Sequence, residues 1–262
     1  MTALFVPKRH FENNLFTCRS LEKIPYKRVL LSLSKSKFVC LRGLLSSSKI
    51  QQAKTILNKK FSKANDRPTV GESPNDVKQN FQKLSIGCAR GKHHTGSYGR
   101  LLRVFFNPLW QEDIYQMHDI FRQLTAIRNK LMDKPVNFAS DTIENGLWTA
   151  ARIHQYPVGG GFIQCHRDRT QAAVAKQAQL NYCQVFAILS KKGEDFEKGG
   201  GFIEHEGKRI IIDDYISPGD IVIYDGSTPH GVEDIDPHKV LDLDTVSGRL
   251  SAFVSLYKDL PS

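Results

Sequence analysis

Residues 148–168 read WTAARIHQYPVGGGFIQCHRD, two β-prone runs, Trp148 to Tyr156 and Phe162 to Cys165, parted by a proline and three glycines. Proline fixes φ and glycine admits conformations closed to other residues, so the junction is a turn and the runs on either side are short strands. The same pattern continues towards the C-terminus through Tyr182 to Leu189, Phe202 to Glu204, Arg209 to Ile212, Ile221 to Tyr224 and Arg249 to Tyr257. Many short strands at close spacing bury their apolar faces as a sandwich or barrel. The expected fold is mainly β with flanking helices, its antiparallel core spanning residues 146–258.

Upstream, KFVCLRGL (37–44) reads as one more strand, followed by a helix that Ser46, Ser47 or Ser48 can cap and that carries Ile50, Ala53, Ile56, Leu57 and Phe61 on one face. A second helix is expected after Pro108. Glu112 and Asp113 would stand in its first turn, Ile114, Met117, Phe121, Leu124, Ile127 and Leu131 on its apolar face, and Arg128 and Lys130 near its end. These N-terminal helices are expected to buttress one sheet. Residues 66–100, rich in Gly, Ser, Asn, His and charge, lack periodicity and are expected to form a loop that covers a site.

The chain of 262 residues is of a length that one core can organise, and a single domain over 1–262 is expected. No apolar run is long enough to span a bilayer, and the N-terminal MTALFVPKRHFENNL lacks the continuous apolar core of a secretion signal. Five scattered cysteines without a CxxC pair suggest neither a zinc ribbon nor a disulfide framework, so a cytoplasmic setting is expected. The net charge of +10 is uneven: 14 of the 37 Lys and Arg but 2 of the 27 Asp and Glu fall in residues 1–65. The remainder is close to neutral. Nucleic acid is therefore a disfavoured partner, the basic residues of 1–65 reading mostly as a solvated face between apolar positions.

His166-Arg167-Asp168 is the triplet with chemistry in it, because residues i and i+2 of a strand share a face and an imidazole and a carboxylate would then converge on one point. A third ligand is offered by His230, which follows Pro229 shortly after the Ile221 to Tyr224 run. Two histidines and a carboxylate on one face of an octahedral ion leave three positions open, the arrangement of non-haem iron(II) oxygenases, although zinc can use the same donors. An H-x-D triplet alone occurs often by chance. The last strand adds weight: Arg249, Ser251, Phe253 and Ser255 alternate with Leu250, Ala252, Val254 and Leu256, so a guanidinium and a hydroxyl share a face and can grip a carboxylate together.

Taken in order, YPVGGGF (156–162), HRD (166–168), GGGFI (199–203), PGDIVIY (218–224), PHGV (229–232) and GRLS (248–251) resemble the iron(II)/2-oxoglutarate-dependent dioxygenases, over roughly Trp148 to Tyr257. The resemblance implies a double-stranded β-helix, that is, a distorted, cupin-like jelly roll. It also implies that iron(II), 2-oxoglutarate and dioxygen are the cofactor and cosubstrates. His166, Asp168 and His230 match the metal ligands, and Arg249 and Ser251 match the anchor for the distal carboxylate of 2-oxoglutarate. Tyr156 stands where prolyl-hydroxylase-like members place a tyrosine against the cosubstrate, or packs in the core. A carboxylate at Asp168, where halogenating relatives have a small residue, argues for hydroxylation.

The expected reaction is hydroxylation of an unactivated C–H bond of a small molecule, such as an amino acid or another carboxylate-bearing compound, with 2-oxoglutarate converted to succinate and CO2. Hydroxylation of a protein side chain, and a cupin-like protein that binds a metal or ligand without turnover, are the alternatives. For the substrate, Arg152 and His154 share the strand face of Tyr156, His93, His94 and Arg100 lie in the covering loop, and Arg103 lies just beyond it. Arginines at a pocket suit a substrate carboxylate, though each of these residues also reads as a solvated charge.

Overall fold

The computed structural model describes residues 7–67, 75–87 and 99–259, the side chain of Arg100 excepted. The N-terminal elements are α1 (Pro7–Asn13), β1 (Leu15–Thr17), α2 (Tyr26–Ser36), β2 (Phe38–Arg42), α3 (Ser47–Lys60), β3 (Phe81–Ser85), β4 (Gly99–Arg100), β5 (Leu102–Phe106) and α4 (His118–Leu131). There follow β6 (Leu147–Tyr156), β7 (Gly161–His166), α5 (Arg169–Gln177), β8 (Cys183–Ile188), β9 (Gly200–His205), β10 (Lys208–Ile211), β11 (Ile221–Asp225), β12 (His230–Ile235) and β13 (Arg249–Lys258). They build an eight-stranded sheet in the order β1-β2-β11-β8-β13-β6-β5-β3 and a five-stranded sheet in the order β10-β9-β12-β7-β4. Apart from the parallel pair β1 and β2, the ladders are antiparallel.

Period-two alternation in the central strands decides what each face of the large sheet meets. Leu250, Ala252 and Val254 of β13, Ala151 and Ile153 of β6, and Val185 and Ala187 of β8 join one apolar cluster with Val29 and Leu33 of α2, Ile50, Ala53 and Leu57 of α3, and Ile120, Phe121, Leu124, Ile127 and Leu131 of α4. Phe121 is fully buried there, and its truncation to Ala would cost about 3–5 kcal/mol in lost transfer energy and cavity. On the opposite face Phe186, Val222, Tyr224 and Phe253 meet Ile203, Ile210 and Ile212 from the small-sheet side. The site lies between the two sheets, on this second face.

Ser46 caps α3 as expected, accepting the Lys49 N–H at 3.3 Å. The second predicted helix begins later than its sequence signals suggest. Asp113 lies before its first turn and accepts the N–H groups of Met117 and His118 at 2.9 and 3.0 Å, so the carboxylate satisfies orphan donors at the N-terminus from outside the helix. Among the described residues three N-terminal helices, not two, pack on this face of the large sheet. The added one, α2, buries Val29 and Leu33 but exposes Leu30 and Leu31, which blurs its apolar stripe in the sequence.

The core also begins before residue 146, since β2, β3 and β5 all belong to the large sheet. Within the stretch expected to be a covering loop, Phe81–Ser85 is instead an edge strand on β5, its alternate residues packed inward, while residues 68–74 and 88–98 lie outside the described ones. Among the described residues no helix is long and apolar enough to cross a membrane.

Candidate metal centre and its cavity

His230, the first residue of β12, pairs directly with His166, the last of β7, so the two imidazoles stand side by side across one ladder with ring centroids 4.3 Å apart. Each ring is oriented the same way. His166 Nδ1 lies 2.9 Å from the carbonyl of Gln164, and His230 Nδ1 lies 2.9 Å from that of Thr228, in both cases the residue two before. A carbonyl only accepts, so both rings carry their proton on Nδ1 and present the Nε2 lone pair towards Asp168, the tautomer a metal requires.

Asp168 is not on the strand with His166, as the H-x-D spacing suggested. β7 ends at His166, and Asp168 is the N-cap residue of α5, with φ −75° and ψ 54° and a side chain that does not cap the helix. Its Oδ1 lies 3.8 Å from His166 Nε2 and 3.7 Å from His230 Nε2, while Oδ2 accepts a hydrogen bond from the Tyr182 hydroxyl at 3.2 Å. The ligand atoms of the three residues all lie within 4.8 Å of one another. These gaps exceed a hydrogen bond, yet all three atoms can reach one ion. Two imidazole nitrogens and a carboxylate oxygen, oriented by outer partners, are a donor set that fits iron(II).

The cavity below them is lined on the large-sheet side by Arg152, His154, Tyr156, Gln184, Phe253 and Ser255. Tyr156, 3% exposed, lies opposite Arg249 in the β6–β13 ladder, and both residues border the cavity. Arg249 Nη1 donates to Ser251 Oγ at 3.2 Å, so guanidinium and hydroxyl do share a face. Arg249 also has a partner the sequence reading missed: its Nε donates at 2.8 Å to Asp213, a buried carboxylate that also accepts the Gly201 N–H. A Cβ on Gly201 would come within 2.5 Å of Arg249 Nη2, so the middle glycine region of GGGFI leaves the space this ion pair occupies. The signal for Asp213 was an acid directly after the apolar run Ile210 to Ile212.

Tyr182 and Gln184 were missed as well. Burial, with Asp168 nearby, holds the Tyr182 phenol well above its usual pKa, so it stays a donor. Its hydroxyl also contacts Gln184 Oε1, which accepts from Ser255 Oγ at 3.0 Å.

Of the expected substrate residues, Arg152 and His154 do line the cavity. Arg103 does not: it is buried elsewhere against Asp66, Gln155 and the carbonyls of Leu243 and Thr245, and Asp66 holds it along one edge of the guanidinium, through Nε and Nη2. Arg100 pairs with Phe162 through its backbone in β4, its side chain lying outside the described residues, as do His93 and His94.

No protein-family model and no curated protein matches the sequence. Among solved structures, a prolyl hydroxylase from Trichoplax adhaerens, in complex with a hypoxia inducible factor oxygen degradation domain peptide fragment, overlays with a TM-score of 0.52 at 13% identity, over 88% of each chain. A prolyl-4-hydroxylase from Pseudomonas putida overlays with a TM-score of 0.52 at 13% identity, over 88% of this chain and 98% of that one. The chain has their fold, a jelly roll.

Proposed function

We propose that this chain is an iron(II)- and 2-oxoglutarate-dependent oxygenase that hydroxylates an unactivated C–H bond. One observation carries the reading: in a jelly roll of the oxygenase type, His166, Asp168 and His230 converge at a cavity that also holds Arg249. In this reading those three residues hold the metal, and Arg249, Ser251 and Tyr156 hold the cosubstrate. Iron(II) with 2-oxoglutarate and dioxygen supplies the oxidising power, 2-oxoglutarate leaving as succinate and CO2.

The chain's own contribution is placement. The carbonyls of Gln164 and Thr228 fix both imidazole tautomers, and the Tyr182 hydroxyl engages Asp168 Oδ2, leaving Oδ1 towards the imidazoles. Arg249, held by Asp213, keeps its Nη groups for the distal carboxylate, where two parallel hydrogen bonds are stronger than one. Ile163, Phe186, Val232 and Phe253 give the cavity apolar walls that exclude water and strengthen these contacts.

A small molecule bearing a carboxylate is the substrate class we favour, because the cavity is rich in cationic and donor groups. A protein side chain, as for the prolyl hydroxylases that share the fold, is the second reading, favoured by the fold neighbour seen with a peptide fragment. The third, metal or ligand binding without turnover, is separated from both by one assay. The protein is loaded anaerobically with iron(II), ascorbate and 2-oxoglutarate, exposed to air, and its succinate quantified. Slow succinate formation is expected without added substrate and none from Asp168→Ala; an unchanged signal from that variant would refute the assigned ligands.

A further inference from the structure

The cavity holds two guanidinium groups in different electrostatic surroundings. Arg249 has a counter-ion in Asp213 at 2.8 Å. Arg152, 7% exposed, has no carboxylate partner among the described residues. Its Nη1 donates to the Ala150 carbonyl at 2.9 Å, its Nη2 to Ser255 Oγ at 3.0 Å and its Nε to His154 Nε2 at 2.9 Å. The rings of Phe253 and Tyr257 lie 5.6 and 5.3 Å from its central carbon. These contacts use three of the five N–H groups an arginine carries and supply no full negative charge. A buried cation without a counter-ion is costly, and an arriving anion removes that cost.

His154 extends the same patch. Because its Nε2 accepts from Arg152, the neutral ring carries its proton on Nδ1, and that buried N–H has no hydrogen-bond partner among the described residues. Burial foremost, and then the charge of Arg152, hold the ring's pKa well below the ordinary 6.5, so it remains a neutral donor. Two spare guanidinium protons and one spare imidazole proton, with a net positive charge, match the acceptor-only chemistry of a carboxylate. Arg152 is also tied to the metal centre, through Ser255, Gln184 and Tyr182 to Asp168.

We infer that Arg152, flanked by His154, is a second carboxylate-binding point in this cavity, separate from Arg249, and that the compound oxidised carries the carboxylate that seats there. This rests on the oxygenase reading, in which 2-oxoglutarate occupies Arg249. It makes the primary substrate an organic acid, which an uncharged backbone segment of a peptide is not.

The test uses the full chain loaded with manganese(II) under nitrogen, saturated with 2-oxoglutarate and titrated with acetate, with acetamide as the uncharged control, following the thermal midpoint. Acetate is expected to raise the midpoint of the parent protein, acetamide is not, and Arg152→Gln abolishes the rise while its 2-oxoglutarate affinity stays within about threefold. His154→Phe, which keeps a ring on Phe253, reduces the rise and serves as the second variant should Arg152→Gln not fold. An equal rise in both variants, an equal rise from acetamide, or no rise in the parent protein overturns the inference. So does loss of 2-oxoglutarate binding in Arg152→Gln, which would make Arg152 the cosubstrate anchor. If the parent protein does not bind 2-oxoglutarate, the oxygenase reading falls, and acetate titration of the manganese-only protein still decides whether Arg152 holds a carboxylate.

Discussion

Asp213 holds Arg249 from behind: its carboxylate takes the Nε hydrogen bond at 2.8 Å, and the two side chains are 1% and 2% exposed. An arginine so held presents a fixed edge to a ligand, with little rotamer freedom left to lose on binding. Removing one partner of a buried pair strands the other, at a cost of about 3–5 kcal/mol. Asp213→Asn is therefore expected to lower the thermal midpoint sharply. Added 2-oxoglutarate should raise the midpoint of this variant less than that of the parent, because an Arg249 no longer held by a carboxylate has rotamer freedom to lose on binding. A loss below about 1 kcal/mol in chemical denaturation would show that the pair is not stabilising.

Gly201 gives a steric version of the same test. A methyl group there would stand 2.5 Å from Arg249 Nη2 and 2.9 Å from Asp213 Oδ2, and neither can retreat without breaking the pair. Gly201→Ala is expected to weaken 2-oxoglutarate binding at least about tenfold by calorimetry, with about 1–3 kcal/mol of overpacking cost. Gly207→Ala is the control: its Cβ meets nothing within 4 Å, so its φ of +72° costs stability while the affinity stays.

Arg103 separates a structural cation from a ligand-binding one. Fully buried and bridged to Asp66, it ties residue 66 to the loop carrying Leu243 and Thr245. Arg103→Met is expected to cost about 3–5 kcal/mol in urea denaturation and to leave the metal and 2-oxoglutarate affinities of the folded fraction unaltered. A selective loss of 2-oxoglutarate binding would place Arg103 in the site after all.

Much of this site could be read from the chain because period-two alternation survives burial. Arg249 and Ser251 on one face of β13, and Arg152, His154 and Tyr156 on one face of β6, fall as their spacing requires. The same rule misplaced Asp168, because the strand stops at His166 and a helix cap brings the carboxylate round instead. Asp213 and Tyr182 escaped notice for another reason. Each acts through a partner distant in sequence, and nothing local distinguishes a buried counter-ion from a surface acid, or a hydrogen-bonded phenol from a core tyrosine. Helix α2 was hidden by the exposed leucines within it, and the edge strand β3 by its polar surroundings.

Acid sensitivity follows from three histidines. Burial, the largest cause in each case, holds His10, His118 and His154 below their ordinary 6.5 in the folded state. Below that value the unfolded chain binds protons that the folded chain does not, so stability is full above pH 6.5 and is lost as pH falls towards the folded-state values. The midpoint of the protein in chelator, where metal release plays no part, should be flat just above this pH and fall below it. His154→Phe should make the fall shallower. Asp225 and Asp236, held below the usual 3.8, add their losses only at lower pH, so an unchanged slope in His154→Phe between about pH 6.5 and 5 would contradict the assignment.

Iron binding at equilibrium reaches the centre of the account without requiring a substrate. Anaerobic dialysis of the full chain against iron(II) should give one ion per chain, and both Asp168→Ala and His230→Ala, folded by circular dichroism, should lose it. Retention of one ion at unchanged affinity by either variant would contradict the assignment of His166, Asp168 and His230 as the metal site.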